Sequence, residues 1–265
     1  MSTYAAALIA AVASIITAVT TAIFAYRTQN RVARMQTETQ TSIAKMQAEN
    51  QASLENLKDE LQQKKESRQK TEKAEEVLAK YREPLVLAAF ELQSRCYNIL
   101  RKNLLSISKN ERSRTYFIDN TLYVFAQYFS WTEIIRREAQ FLNLGEVEAT
   151  RELSKLQENI REIILSSSYG RVFRVFRGEQ RAIGELMISK QSNGDTCIGY
   201  AAFFEKRDES FRYWFEHLQW SIEEIAKDLS TDNGRLKDLQ HALVDLIDYL
   251  DPNYMRFDKK SCQKA

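Results

Sequence analysis

Ala33-Arg34-Met35-Gln36-Thr37-Glu38-Thr39-Gln40-Thr41-Ser42-Ile43 runs directly into Ala44-Lys45-Met46-Gln47-Ala48-Glu49-Asn50-Gln51-Ala52-Ser53-Leu54, and the second segment echoes the first at a period of eleven. Steps of 3, 4 and 4 from Val32 reach Met35, Thr39, Ile43, Met46, Asn50, Leu54, Leu57 and Leu61. That register captures all seven Val, Met, Ile and Leu residues between 27 and 64, whereas the best heptad phase captures four. Eleven residues in three turns is about 3.67 per turn, slightly above an ideal helix, so the stripe runs nearly straight with a weak right-handed drift. A stripe so narrow suits a helix–helix seam better than the flank of a globular core. Val32, Met35, Ile43, Met46, Leu54, Leu57 and Leu61 are therefore expected to form an oligomer seam, with Thr39 and Asn50 weakening it but fixing its register. The competing reading is a lone charged helix that serves as a spacer.

Around the repeat, residues 27–76 contain no Gly, Pro or aromatic residue, and strong helix formers dominate. Beyond Leu61 the register falls on Lys65, Arg68, Glu72 and Glu76, so the seam ends while the helix continues. Helical throughout, residues 27–80 would extend about 80 Å.

Upstream, residues 1–26 hold no charged side chain or histidine, and Ala5 to Ala25 is apolar apart from Ser14, Thr17, Thr20 and Thr21. As a helix this run reaches about 30 Å, the thickness of a bilayer's hydrocarbon core, and reads as one transmembrane anchor in contact with lipid along residues 5–25. Arg27, Arg31 and Arg34 follow it, while Met1-Ser2-Thr3-Tyr4 carries no basic group. The positive-inside bias then places the N-terminus outside and the rest in the cytoplasm of an inner or plasma membrane. A cleaved signal peptide is disfavoured because it would need a basic n-region and a shorter apolar run. Ala6, Ala10, Ser14, Ala18 and Ala22 recur every four residues and would let two spans approach closely.

Downstream, Pro84 and Pro252 bracket all seven glycines, and residues 77–257 read as one cytoplasmic domain, followed by a basic tail at 258–265. Helical periodicity runs from Pro84 to Leu100, Arg114 to Leu142, Val147 to Leu165, Tyr169 to Ile188, Cys197 to Lys206, Ser210 to Leu229 and Gly234 to Leu250. Asp195, Asp208 and Asp232 stand where N-caps are expected, and Ser192-Asn193-Gly194-Asp195 is a turn sequence. No stretch alternates long enough to require a strand. The expected class is all-α: one transmembrane helix, a long coiled-coil-like helix with an eleven-residue repeat, and a C-terminal helical bundle.

Two groups in the bundle carry chemical interest. Arg171, Arg174, Arg177 and Arg181 would share one face of the 169–188 helix, beside Glu179, and suit an anionic partner or a structural ion-pair network completed by Glu179, Glu185 and neighbouring acids; the network is preferred. Gly178 and Gly184 would admit another backbone close to this helix. His241, Asp245 and Asp248 with Asp238 would form a polar helix face, a weak candidate for a proton-transfer or metal site. With two histidines in the chain and no Glu-x-x-His motif, no metal or cofactor is expected. Cys96, Cys197 and Cys262 lack metal-like spacing and fit a reducing compartment. The last four residues have the outline of a prenylation box, but polar Gln263 and Lys264 disfavour it. A balance of 38 basic and 36 acidic residues, net +2, argues against nucleic-acid binding. No phosphate loop, nucleophile elbow, Cys-x-x-Cys or His-Glu-x-x-His occurs.

The leading expectation is a membrane-anchored oligomeric scaffold that makes homo-oligomers through the rod and presents its bundle to an unidentified cytoplasmic protein. The alternative is a membrane-tethered ligand sensor or enzyme that uses the Arg, Glu, His and Asp groups of the bundle.

Overall fold

The computed structural model describes residues 2–101, 110–141, 148–192, 194–206, 211–227 and 233–265. Among them lie seven α-helices: α1 (Ser2–Leu100), α2 (Glu111–Phe141), α3 (Glu148–Leu165), α4 (Arg177–Leu186), α5 (Tyr200–Lys206), α6 (Arg212–Lys227) and α7 (Gly234–Leu250). Strands β1 (Ile188–Gln191) and β2 (Gly194–Cys197) join them. The protein is overwhelmingly helical, as its periodicity requires. The chain divides into two compact units, Met1–Ser67 and Arg68–Ala265.

The first unit belongs wholly to α1, whose N-terminal stretch is long and apolar enough to cross a membrane. Its hydroxyls turn inward onto the helix: Thr17 donates to the Ala13 carbonyl at 2.7 Å and Thr21 to the Thr17 carbonyl at 2.6 Å. Bonds of this kind satisfy a polar side chain where no water is at hand. Further along, all seven large apolar residues of the eleven-residue stripe are exposed, from Val32 at 48 % to Leu54 at 66 %.

In the second unit α1 carries another stripe, out of step with the first. Ala74, Val77, Tyr81, Leu85, Ala88, Leu92, Cys96 and Ile99 again follow 3-4-4 spacing, and every one is buried. The helix runs through Pro84 instead of starting there, contrary to expectation. A mid-helix proline loses one backbone hydrogen bond and crowds the preceding turn, and the burial of Tyr81, Leu85, Val86 and Ala88 around it offsets that cost.

Helix α2 is the hub, contacting α4, α5, α6 and β2, while α3 packs on α7. Gly184 permits the α2–α4 approach, because a Cβ there would lie 2.6 Å from the Phe129 carbonyl oxygen. Gly178 serves no such purpose, with open space around it. Strands β1 and β2 pair antiparallel, Ile188 with Cys197 and Gln191 with Gly194, while Asn193 of the turn sequence lies outside the described residues. Strands of four residues are too short to declare an alternation, so the sequence reads there as helix and loop. Asp195 lies in β2 and caps no helix, while Asp208 and Asp232 lie outside the described residues.

The basic tail, residues 258–265, docks on the domain as a strap. Phe257 stacks on Phe90 with ring centroids 3.8 Å apart. Gln93 donates to the Ser261 carbonyl, and Gln240 both donates to the Gln263 carbonyl and accepts from the Ala265 N–H. The Cys262 thiol is buried, and its pKa is pushed up to about 11 by burial and then by Asp248, Asp251 and Asp258.

Candidate functional site

The arginine group does not form one helical face. Helix α4 begins at Arg177, so Arg171 and Arg174 stand in the connection before it. Each arginine has its own surroundings. Arg171 lies 5.8 Å over the Trp220 ring, and Arg174 donates through Nε to the Leu165 carbonyl at 3.0 Å while lying 5.0 Å over Phe176. Arg177 bridges Glu158 and Glu162 of α3, all three about half exposed. Arg181 is exposed on α4. Glu179 accepts from the Phe176 N–H at 2.8 Å and so caps α4, whereas Glu185 pairs with Arg137 of α2 at 3.0 Å.

The reason for the break is an arginine that the sequence reading passed over. Arg235, in the first turn of α7, is 2 % exposed, and its guanidinium donates to the carbonyls of Val172, Ile163, Ile164, Ser166 and Gly170 at 2.5–3.0 Å. Ile163 and Ile164 belong to the last turn of α3, whose carbonyls have no partner within their own helix and whose dipole favours a cation. Charge-assisted bonds to five carbonyls hold residues 166–172 in an irregular path. Within it Phe173 adopts φ 56°, a left-handed conformation costly for a bulky residue. Its buried ring stacks on Phe125 at 5.5 Å, and its N–H donates to the Ser221 hydroxyl at 2.9 Å. The surrounding structure thus holds the strained residue.

On α7 the polar face is taken up by structural contacts. His241 Nε2 lies 3.0 Å from the Ala265 oxygen, so that nitrogen carries the proton. Asp245 pairs with Lys264 at 2.6 Å, Asp248 accepts from Tyr254 at 2.8 Å, and Asp238 accepts from Tyr169 at 2.6 Å. These groups face the strap and the α3–α4 connection, and none lines a described cavity. Among the described residues, no three of His, Cys, Asp and Glu converge to hold a metal.

A concave feature lies elsewhere, in a groove of about 780 Å³ between the start of α2 and α5. Glu111, Arg112, Thr115, Tyr116 and Asp119 line one wall, and Tyr200, Ala201, Phe204 and Glu205 the other. Its size lies within the range of small-molecule sites, with rings as lining and a few polar groups to orient a guest. Tyr200 is fixed from behind by Tyr123, edge-on at 5.3 Å, and by Phe203. A smaller cavity of about 280 Å³ includes Glu91, Arg95 and Asn120. Arg95 donates there to Asn120, and its guanidinium pKa is lowered by burial. Burial likewise raises the Glu91 carboxyl above its ordinary value, opposed by a hydrogen bond from Gln127. Residues 116–131 and 200–220 are dense in rings; Phe117, Phe125, Tyr128, Phe129, Phe203, Phe211 and Phe215 are buried in the core, while Tyr116 and Phe204 are exposed on the groove. Tyr116 lies between Thr115 and Phe117, and Phe204 between Phe203 and Glu205, so their immediate neighbours do not mark either ring as groove-lining. Comparison of the chain with family models, with curated proteins and with solved structures finds no match in any of the three.

Proposed function

We propose that this protein is a membrane-anchored homo-oligomer that holds its helical domain at the cytoplasmic face of an inner or plasma membrane and presents it to a protein partner. The observation that carries the reading is the exposed stripe Val32, Met35, Ile43, Met46, Leu54, Leu57 and Leu61 on an uninterrupted helix. A lone helix gains nothing from seven large apolar residues in one register, whereas a second copy would bury them all. The same register carried back through the apolar run falls on Thr28, Phe24, Thr21, Thr17, Ala13, Ala10 and Ala6. Small residues are what close helix packing needs in lipid, and large ones what it needs in water, so one line suits both media. Orientation follows from Arg27, Arg31 and Arg34 at one end of the span.

A second reading, a membrane-tethered ligand sensor, is favoured by the groove between α2 and α5. An enzyme built on the Arg and His groups has less support, because Arg171, Arg174, Arg177 and His241 make structural contacts and none of the four lines the groove.

The mass of the full chain in nanodiscs, measured by light scattering, tests the first reading. Wild type is expected at a multiple of the protomer and Met46→Lys/Leu57→Lys at the protomer mass; a monomeric wild type would reject homo-oligomerisation.

A further inference from the structure

We propose that the rod pairs two copies of this chain and no more, in parallel and in register, with the two Asn50 carboxamides hydrogen-bonded to each other across the seam. The inference rests on the homo-oligomer reading above and adds to it the number of copies and the residue that sets that number.

Polar side chains on the line of the seam fall into two kinds. Thr17, Thr21, Thr28 and Thr39 each donate to a carbonyl of their own helix, to Ala13 at 2.7 Å, Thr17 at 2.6 Å, Phe24 at 2.8 Å and Met35 at 2.7 Å. Each of these hydroxyl protons is satisfied within α1, so a threonine can enter a dry seam without a partner from outside. Asn50 stands on the same line, is exposed, and has no side-chain hydrogen bond among the described residues. Its amide carries two N–H donors and a carbonyl acceptor. Met46 and Leu54 lie four residues to either side of it on the stripe. Covering those two shuts Asn50 away from water, and a buried amide left unpaired is costly. Only another copy can supply what it lacks. In a parallel, in-register pair residue 50 meets residue 50, and each amide gives one hydrogen bond and accepts one. A slip by one repeat would keep the apolar layers matched but set Asn50 against Thr39 and Leu61, neither of which has a proton to give it. The anchor and Asn50 therefore select the same register.

The flanks of the stripe favour the same number. Gln36 and Gln47 run along one side and Ser42 and Ser53 along the other, all of them exposed. Two helices cover one narrow line from each and leave both rows in water. A third or fourth copy would turn those polar rows inward, where nothing apolar is present to fill the wider seam.

The test is the protein mass of the full chain in detergent micelles, read by light scattering with the detergent's contribution subtracted, for wild type, Asn50→Leu and Thr39→Val. Wild type is expected at two protomers. Asn50→Leu is expected to stay associated but to shift to a mixture that includes three or more protomers, because the amide that selects a two-stranded seam is gone. Thr39→Val replaces a hydroxyl already satisfied within its helix and is expected to stay at two. Wild type at three or more protomers would overturn the number while leaving the homo-oligomer reading in place. A monomeric wild type would remove both. Asn50→Leu held at two protomers, or Thr39→Val shifted as far as Asn50→Leu, would overturn the role given to Asn50.

Discussion

Helix α1 carries two stripes of the same 3-4-4 spacing with opposite fates. Ala74, Val77, Tyr81, Leu85, Ala88, Leu92, Cys96 and Ile99 are all at most 8 % exposed, whereas Val32, Met35, Ile43, Met46, Leu54, Leu57 and Leu61 are all at least 48 % exposed. Periodicity and residue type barely distinguish the two. What differs is supply: later helices and the strap return to cover the second stripe, and Gln93 and Phe90 on neighbouring turns bond and stack with that strap. The lesson is that period reports a face that seeks cover, while the chain's later course decides whether cover comes from within. The first stripe is left exposed, and on the reading proposed above a second copy supplies a matching period to cover it.

Breaking the covered side should have the largest effects. Arg235→Leu removes five bonds, two to carbonyls of the last turn of α3 and three to carbonyls of the α3–α4 connection, and leaves buried acceptors unpaired; a loss of about 3–5 kcal/mol is expected, enough to threaten a domain of ordinary stability. Chemical denaturation of the full chain reads it, and an unchanged midpoint would contradict the capping role. Leu92→Ala and Leu57→Ala then set the two stripes side by side. The first should cost about 2–5 kcal/mol through its cavity, the second should leave domain melting unchanged and weaken association alone. Equal effects on melting would erase the distinction between the stripes.

Smaller effects sharpen the electrostatic side. Because burial raises the Glu91 carboxyl, its ionisation costs stability as pH rises through the folded-state value, and that cost is absent below the unfolded-state value. Glu91→Gln should therefore melt higher than wild type at neutral pH, with the gap closing on acidification; a gap that widens in acid would reverse the sign. Arg177→Ala should do least, since its ion pairs with Glu158 and Glu162 are open to solvent. A large destabilisation there would show the half-exposed pair to matter more than its exposure allows.

Much of this architecture is legible from residues. The apolar run, the eleven-residue repeat and the helices at 212–227 and 234–250 follow from composition and period. The break before α4 does not. Val172-Phe173-Arg174-Val175-Phe176 reads as helix, and the left-handed Phe173 is imposed by Arg235 and Ser221, both about fifty or more residues away. Arg235 did leave a trace, because a cation in the first turn of a helix opposes that helix's own dipole and calls for another helix's C-terminus nearby. The groove was harder to see: Tyr116 and Phe204 are distant in sequence, and only the α2–α5 packing makes them neighbours. Likewise, a lysine-bearing tail looks solvated until Phe90, Gln93 and Gln240 are found holding it.

The most direct test of the central claim is cysteine cross-linking in membranes, on full-length protein whose own Cys96, Cys197 and Cys262 are replaced by alanine. Cysteines placed one at a time from Ile43 to Leu54 scan one full repeat on an exposed helix. Cross-linking to a second copy should peak at 43, 46, 50 and 54 and fall at 45, 48 and 52, the pattern of a parallel, in-register seam. A flat profile, or maxima on the opposite face, would contradict a seam formed by this stripe.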